Sequence, residues 1–150
     1  MDALYPRLLV RDFAASVAFY RAALRDLHGV EPVKVLPEAS YANWDIDRQA
    51  GLVLFGRAAI TAAVGTSDLP ETFAAQDTSM LVMRVDDVEA AAARLTGHGA
   101  RLVAPPQDRP AWGPALRTAH LRDPEGNLIE LQSYQPPLPP TSSRPFPRVP

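Results

Sequence analysis

Residues 5–24 read YPRLLVRDFAASVAFYRAAL and residues 80–95 read MLVMRVDDVEAAAARL, and the second stretch restates the first 75 positions further on. Val10 falls on Val85, Asp12 on Asp87, Phe13 on Val88, Val17 on Ala92 and Tyr20 on Leu95. Each stretch opens with a short apolar run. It then passes through an aspartate suited to accept the free N–H groups of a first helical turn, and continues with apolar residues at helical spacing. The pattern predicts a strand and a capped helix, twice over. In the second copy Asp86 with Glu89 offers an alternative capping box, which leaves the first helical residue open by one position.

Outward from these anchors, each half continues in short runs of strand character separated by turn residues. They are VEPVKVLP, ASYANWDID and GLVLFGR in the first half, and ARLVAPPQ, ALRTAHLRD and NLIELQSY in the second. Both halves therefore read as βαβββ. The clearest turn is DPEGN: Pro124 presets its own backbone angle, Gly126 tolerates positive φ, and Asp123 bonds locally to the turn backbone. The segment TSDLPETFAAQDTS breaks the periodicity and reads as the linker between halves. The expected class is α+β. Two βαβββ modules, about 4–67 and 79–135, form one domain over 1–135. With a helix on one side of each small sheet, the opposite sides form a half-open trough, the natural place for a ligand.

Composition fits one folded domain. The chain has 150 residues, of which 47% are hydrophobic and 21% charged, which excludes wholesale disorder, coiled coil and collagen. The absence of cysteine excludes disulfides, thiolate metal sites, iron–sulfur clusters and cysteine nucleophiles. A formal charge of −2 gives no electropositive footprint for nucleic acid. The apolar runs are too short to span a bilayer, and the opening MDALYPRLLVRD does not look like an export signal, so cytoplasmic residence is expected. Residues 136–150 hold seven of the sixteen prolines and read as a disordered, solvated tail.

The strand–Asp–helix pattern ending in Phe19-Tyr20, its repeat as RVDDVEAAAARL, Trp112-Gly113-Pro114, and RDPEGNLIEL at 122–131 together resemble the glyoxalase/bleomycin-resistance/extradiol dioxygenase group, the vicinal oxygen chelate superfamily. The resemblance covers residues 4–134. It implies the paired βαβββ fold and, in the metal-using members, a divalent ion held by side chains from the first and last strand of each half. Carried onto this sequence, those positions are Tyr5, Met80, Leu54 and Glu130. Only Glu130 is a credible ligand. One carboxylate beside apolar side chains and an un-ionised phenol does not hold a divalent ion tightly, so neither a metal nor any other cofactor is expected.

With Glu130 pointing into the trough, period-two alternation adds Leu128 and Leu54 and sends Ile129, Leu131 and Val53 under the helices. Tyr5 and Met80 line the trough, with Val82 and Arg84 further along. Tyr41 and Trp44 on the third strand of the first half, and Trp112 in the loop before RTAHLRD, offer flat surfaces for stacking. His120 is the histidine placed to meet a ligand. His28 and His98, beside Gly29 and Gly99, read as helix-end residues, and Arg11, Arg21, Arg25 and Arg94 as solvated.

Two functions follow. One is a metal-independent binding protein, similar to bleomycin-resistance proteins and hence of the antibiotic-resistance type. It would dimerise and sequester a planar or cationic drug or metabolite. The alternative is a glyoxalase-like lyase or isomerase, or a ring-cleaving dioxygenase, with Glu130 as base or ligand and His120 or Tyr5 as its partner. A third reading is an interaction subunit whose trough is filled by its own side chains or tail.

Overall fold

The computed structural model describes residues 4–71 and 76–134. The expected proline-rich tail and residues 72–75 of the expected linker lie outside the described residues. The first module runs β1 (Arg7–Val10), α1 (Phe13–His28), β2 (Lys34–Leu36), β3 (Tyr41–Ile46) and β4 (Gln49–Gly56), then a short α2 (Arg57–Val64). The second runs β5 (Leu81–Arg84), α3 (Val88–Gly97), β6 (Arg101–Asp108), β7 (Leu116–Arg122) and β8 (Leu128–Tyr134). Both sheets have four strands in equivalent order, β1-β4-β3-β2 and β5-β8-β7-β6. In each the opening strand pairs parallel with the closing strand, and the other pairings are antiparallel. The duplicated βαβββ reading holds, with α2 as an addition the strand-like runs did not announce.

Local chemistry sets the helix ends. Asp12 accepts the Ala15 N–H at 3.0 Å and Asp87 accepts the Ala90 N–H at 2.9 Å, so α3 is capped by Asp87 and not by Asp86. Gly29 closes α1 in the left-handed region at φ 65°. α1 then buries Val17, Tyr20 and Leu24, one stripe at helical spacing, against Val10, Ala42, Leu52 and Leu54; α3 buries Val88, Ala91, Ala92 and Leu95 against Met83, Ala119, Leu121, Ile129 and Leu131. Each fully buried leucine or isoleucine in these layers contributes roughly 1.5–3 kcal/mol.

The modules are locked through the DPEGN turn. The Tyr20 hydroxyl donates to Asp123 at 2.6 Å, and the Glu125 carboxylate accepts the N–H groups of Arg11 and Asp12 at 3.0 and 2.6 Å. Asp123 also accepts from the Asn127 and Glu125 N–H groups and from the Asn127 side-chain amide. On the helix side, His98 bonds Asp26 at 2.9 Å, joining the ends of α3 and α1. Burial first, and the Asp123 charge second, push the Tyr20 pKa well above the ordinary tyrosine value. His28, expected to favour its charged form at a helix end, is instead moved down by burial. Among the described residues, no helix is long and apolar enough to cross a membrane.

Candidate functional site

Strand register decides which residues share the open faces, the sides of the sheets away from α1 and α3. In the second sheet one row runs Val82, Glu130, His120, Ala104 across β5, β8, β7 and β6; the next runs Arg84, Gln132, Thr118, Gln107. Residues paired in register point to the same side, and Ile129, Leu131, Ala119 and Leu121 pack against α3, so these two rows form the open face. In the first sheet the corresponding rows are Arg7, Val53, Asn43, Lys34 and Leu9, Phe55, Tyr41, Leu36.

Two sequence expectations are corrected by this register. Leu54 does not line the trough: it pairs with Leu8 and Ala42 under α1 and is 0% exposed. Its neighbour Val53, expected under the helices, lies on the other side of the sheet, where it is also buried at 1% exposure, because Arg7 pairs with Val53 as Val82 pairs with Glu130. Trp44 is likewise no stacking surface. It pairs with Leu52, is 0% exposed in the core, and its indole N–H has no acceptor among the described residues. Tyr41 and Phe55 do share the open face and meet edge to face, with ring centres 6.4 Å apart.

The polar centre lies in the second module. His120 Nε2 and Glu130 Oε2 are 2.8 Å apart, both side chains buried, and Gln132 donates to Glu130 Oε1 at 3.0 Å. Both carboxylate oxygens are thus engaged. The His120 tautomer that donates through Nε2 suits this contact with a carboxylate oxygen and leaves Nδ1 to accept. Trp112, 60% exposed, stands edge-on to the His120 ring at 6.2 Å. The Arg109 guanidinium lies 4.5 Å over Trp112 and donates through Nε to Thr118 at 3.2 Å. Gln132, Thr118 and Arg109 were not among the expected site residues. The period-two rule pointed to Gln132, two residues beyond Glu130, whereas Arg109 reaches Thr118 by a loop that no periodicity announces.

Tyr5 precedes β1 and is half-buried. Met80 and Leu128 help line a cleft of about 370 Å³ at the seam between modules, together with Arg7 and Asp77. Asp77 is held there by a two-pronged ion pair with Arg122, whose hydrogen bonds keep its carboxyl below the usual range. Leu128 stands two residues before Glu130 on β8, so the cleft and the His120–Glu130 pair are about 7 Å apart along the strand.

The residues present do not fit a divalent ion. Among the described residues no three His, Asp or Glu side chains gather. In register with Glu130 stand Val82, which is no donor for a cation, and His120, whose Nε2 is already bonded to Glu130, and the matching places on the first sheet hold Val53 and Arg7.

The model of the Glyoxalase/Bleomycin resistance protein/Dioxygenase superfamily matches residues 4–131. The chain is 34% identical over 131 residues to the protein YraH of Bacillus subtilis, covering 87% of this chain and 97% of that protein. Among solved structures, a glyoxalase-related enzyme from Fulvimarina pelagi superposes with a TM-score of 0.67 at 21% identity, covering 87% of this chain and 86% of the other. A lactoylglutathione lyase from Agrobacterium tumefaciens superposes with a TM-score of 0.59 at 24% identity, covering 87% and 92%. The paired βαβββ modules and the matched length carry one conclusion: this chain belongs to the glyoxalase/bleomycin resistance protein/dioxygenase superfamily.

Proposed function

We propose that the chain is a metal-independent small-molecule-binding protein that holds a planar drug or metabolite against its open face. The observation that carries this reading is the His120–Glu130–Gln132 row, a polar fixture already satisfied by its own hydrogen bonds, beside the exposed Trp112 and within reach of the seam cleft. Tyr41 and Phe55 supply a flat apolar wall on the other sheet. A cytoplasmic homodimer is part of the proposal. Leu9 and Val82, both exposed on the open faces, are apolar surface that a second copy would cover.

Titration with planar aromatic compounds, followed through tryptophan fluorescence, tests the reading. Trp112 is the expected reporter and Trp44 the silent one, so Trp112→Phe removes the response and Trp44→Phe leaves it. A saturable signal that survives Trp112→Phe and vanishes with Trp44→Phe overturns the site. Elemental analysis adds a second check: about one tightly held transition-metal ion per chain contradicts the metal-independent reading.

One observation favours a second reading. With Nε2 committed to Glu130, the Nδ1 of His120 is an acceptor without a protein partner among the described residues, the arrangement of a general base oriented by a carboxylate. In that reading the protein moves a proton on the same bound molecule. Glu130→Gln keeps the shape but lets the amide donate to His120 and select the other tautomer. It lowers turnover by about 100-fold or more if the pair is a base, and changes ligand affinity only slightly if it is a fixture.

A further inference from the structure

Three arginines stand on or beside the open faces. Arg84 stands beside Gln132 on β5, Arg109 is held on Thr118 in the same row, and Arg7 lies on the first sheet at the edge of the seam cleft. Each guanidinium rests over an aromatic ring: Arg84 over Tyr134 at 5.0 Å, Arg109 over Trp112 at 4.5 Å, Arg7 over Phe55 at 5.6 Å. Among the described residues none of the three has a carboxylate partner, unlike Arg25, Arg117 and Arg122, which pair with Glu31, Glu89 and Asp77. Among the described residues Arg109 donates through Nε, to Thr118, and neither of its Nη groups has a protein acceptor. Glu130, the carboxylate at the centre of the same face, makes no ion pair with any of the three, since His120 and Gln132 occupy both of its oxygens.

Resting on the reading of this face as a small-molecule site, we propose that its ligand is a planar anion: an aromatic carboxylate or comparable acid whose charged group is gripped by Arg109 and Arg84 while its ring packs beside Trp112 and the apolar wall. Stacking holds each guanidinium plane in place without neutralising it, which preorganises forked donors for an oxyanion. A cationic ligand would meet three arginines, while the carboxylates nearby, Glu130, Asp77 and Glu125, already accept from His120 and Gln132, from Arg122, and from the Arg11 and Asp12 N–H groups. Of the planar or cationic ligand expected from sequence, the planar character is therefore kept and the charge changed.

Three probes of one shape test this: 2-naphthoate, 2-naphthylmethanol and 2-naphthylmethylammonium, titrated calorimetrically into the full chain at low salt. Naphthoate is expected to bind at least tenfold more tightly than the ammonium compound, and its advantage to shrink as salt is added. Arg109→Gln and Arg84→Gln each weaken naphthoate about five- to tenfold and leave naphthylmethanol unchanged; Arg109→Lys, which keeps the charge and loses the fork, falls between. Far-UV circular dichroism confirms that each variant is folded. Equal or tighter binding of the alcohol or the ammonium compound overturns the proposal, as do arginine variants that bind naphthoate like the parent, and either result leaves the small-molecule reading standing. Failure of all three probes to saturate brings down that reading together with this one.

Discussion

The open faces of the two modules are built from the same strand order and diverge at most of their matching places. Val53, Phe55, Tyr41 and Leu9 on the first stand where Glu130, Gln132, Thr118 and Arg84 stand on the second, while Asn43 answers His120 and Arg7 answers Val82. The helix-covered faces show no such divergence, since Leu54, Ala42 and Leu52 answer Leu131, Ala119 and Ile129 with apolar side chains of the same kind. Burial under a helix tolerates only close-packed apolar groups, so the hidden sides stayed alike. The other sides were free to diverge, and one gained the aromatic pair Tyr41 and Phe55 where the other gained the polar pair Thr118 and Gln132.

The contrast extends to the two tryptophans, and the largest expected effect separates them. Trp44→Ala empties a fully buried site and costs about 3 kcal/mol or more in urea denaturation, whereas Trp112→Ala changes stability by no more than about 0.5 kcal/mol. Comparable losses from both would erase the assignment of one to the core and the other to the ligand face.

Next comes the seam that holds the faces in register. Tyr20→Phe removes the bond to Asp123 while Asn127 still serves that carboxylate, so a loss of about 1–2 kcal/mol is expected. The folded state holds the Tyr20 pKa above its unfolded value. The stability it contributes is therefore complete below the unfolded value near 10 and is lost as pH rises from there toward the folded value. Thermal melts from pH 7 to 11 should show an alkaline decline in the parent that is shallower in Tyr20→Phe; parallel declines would remove Tyr20 from the account.

The smallest effect sharpens the comparison itself. Phe55→Ala and Tyr41→Ala are expected to weaken 2-naphthylmethanol by about two- to tenfold, in line with roughly 0.5–1.5 kcal/mol for an aromatic contact. The ratio of naphthoate to naphthylmethanol affinity should hardly move, because the charge is read on the other sheet. A change in that ratio as large as the change in affinity would mean that the walls are not separate.

The fold was legible because its signals are local and repeated: two aspartate caps, two amphipathic stripes 75 residues apart, and the DPEGN turn all stand where the structure has them. The open face was legible only where polarity alternates. In LIELQSY the buried and polar positions interleave, so the side taken by Glu130 could be read directly. In LVLF every residue is apolar, and period-two reasoning has nothing to distinguish Val53 from Leu54. Trp44 was misplaced against the alternation rule itself: it stands three residues from Tyr41 and two from Ala42 in unbroken register, so it shares the covered side with Ala42 and not the open side with Tyr41. α2 escaped because RAAITAAV follows its strand directly from Gly56, which provides no side-chain cap.

The bonds from Glu125 to the start of α1, and from Tyr20 to Asp123, tie two sequence copies inside one continuous polypeptide. Had the same halves met as separate identical molecules, every substitution would have appeared twice, and an arginine gained on one bank would have faced its own duplicate across the gap. Tandem joining lifts that constraint. A protein assembled this way is free to become a grip with one slippery jaw and one sticky jaw.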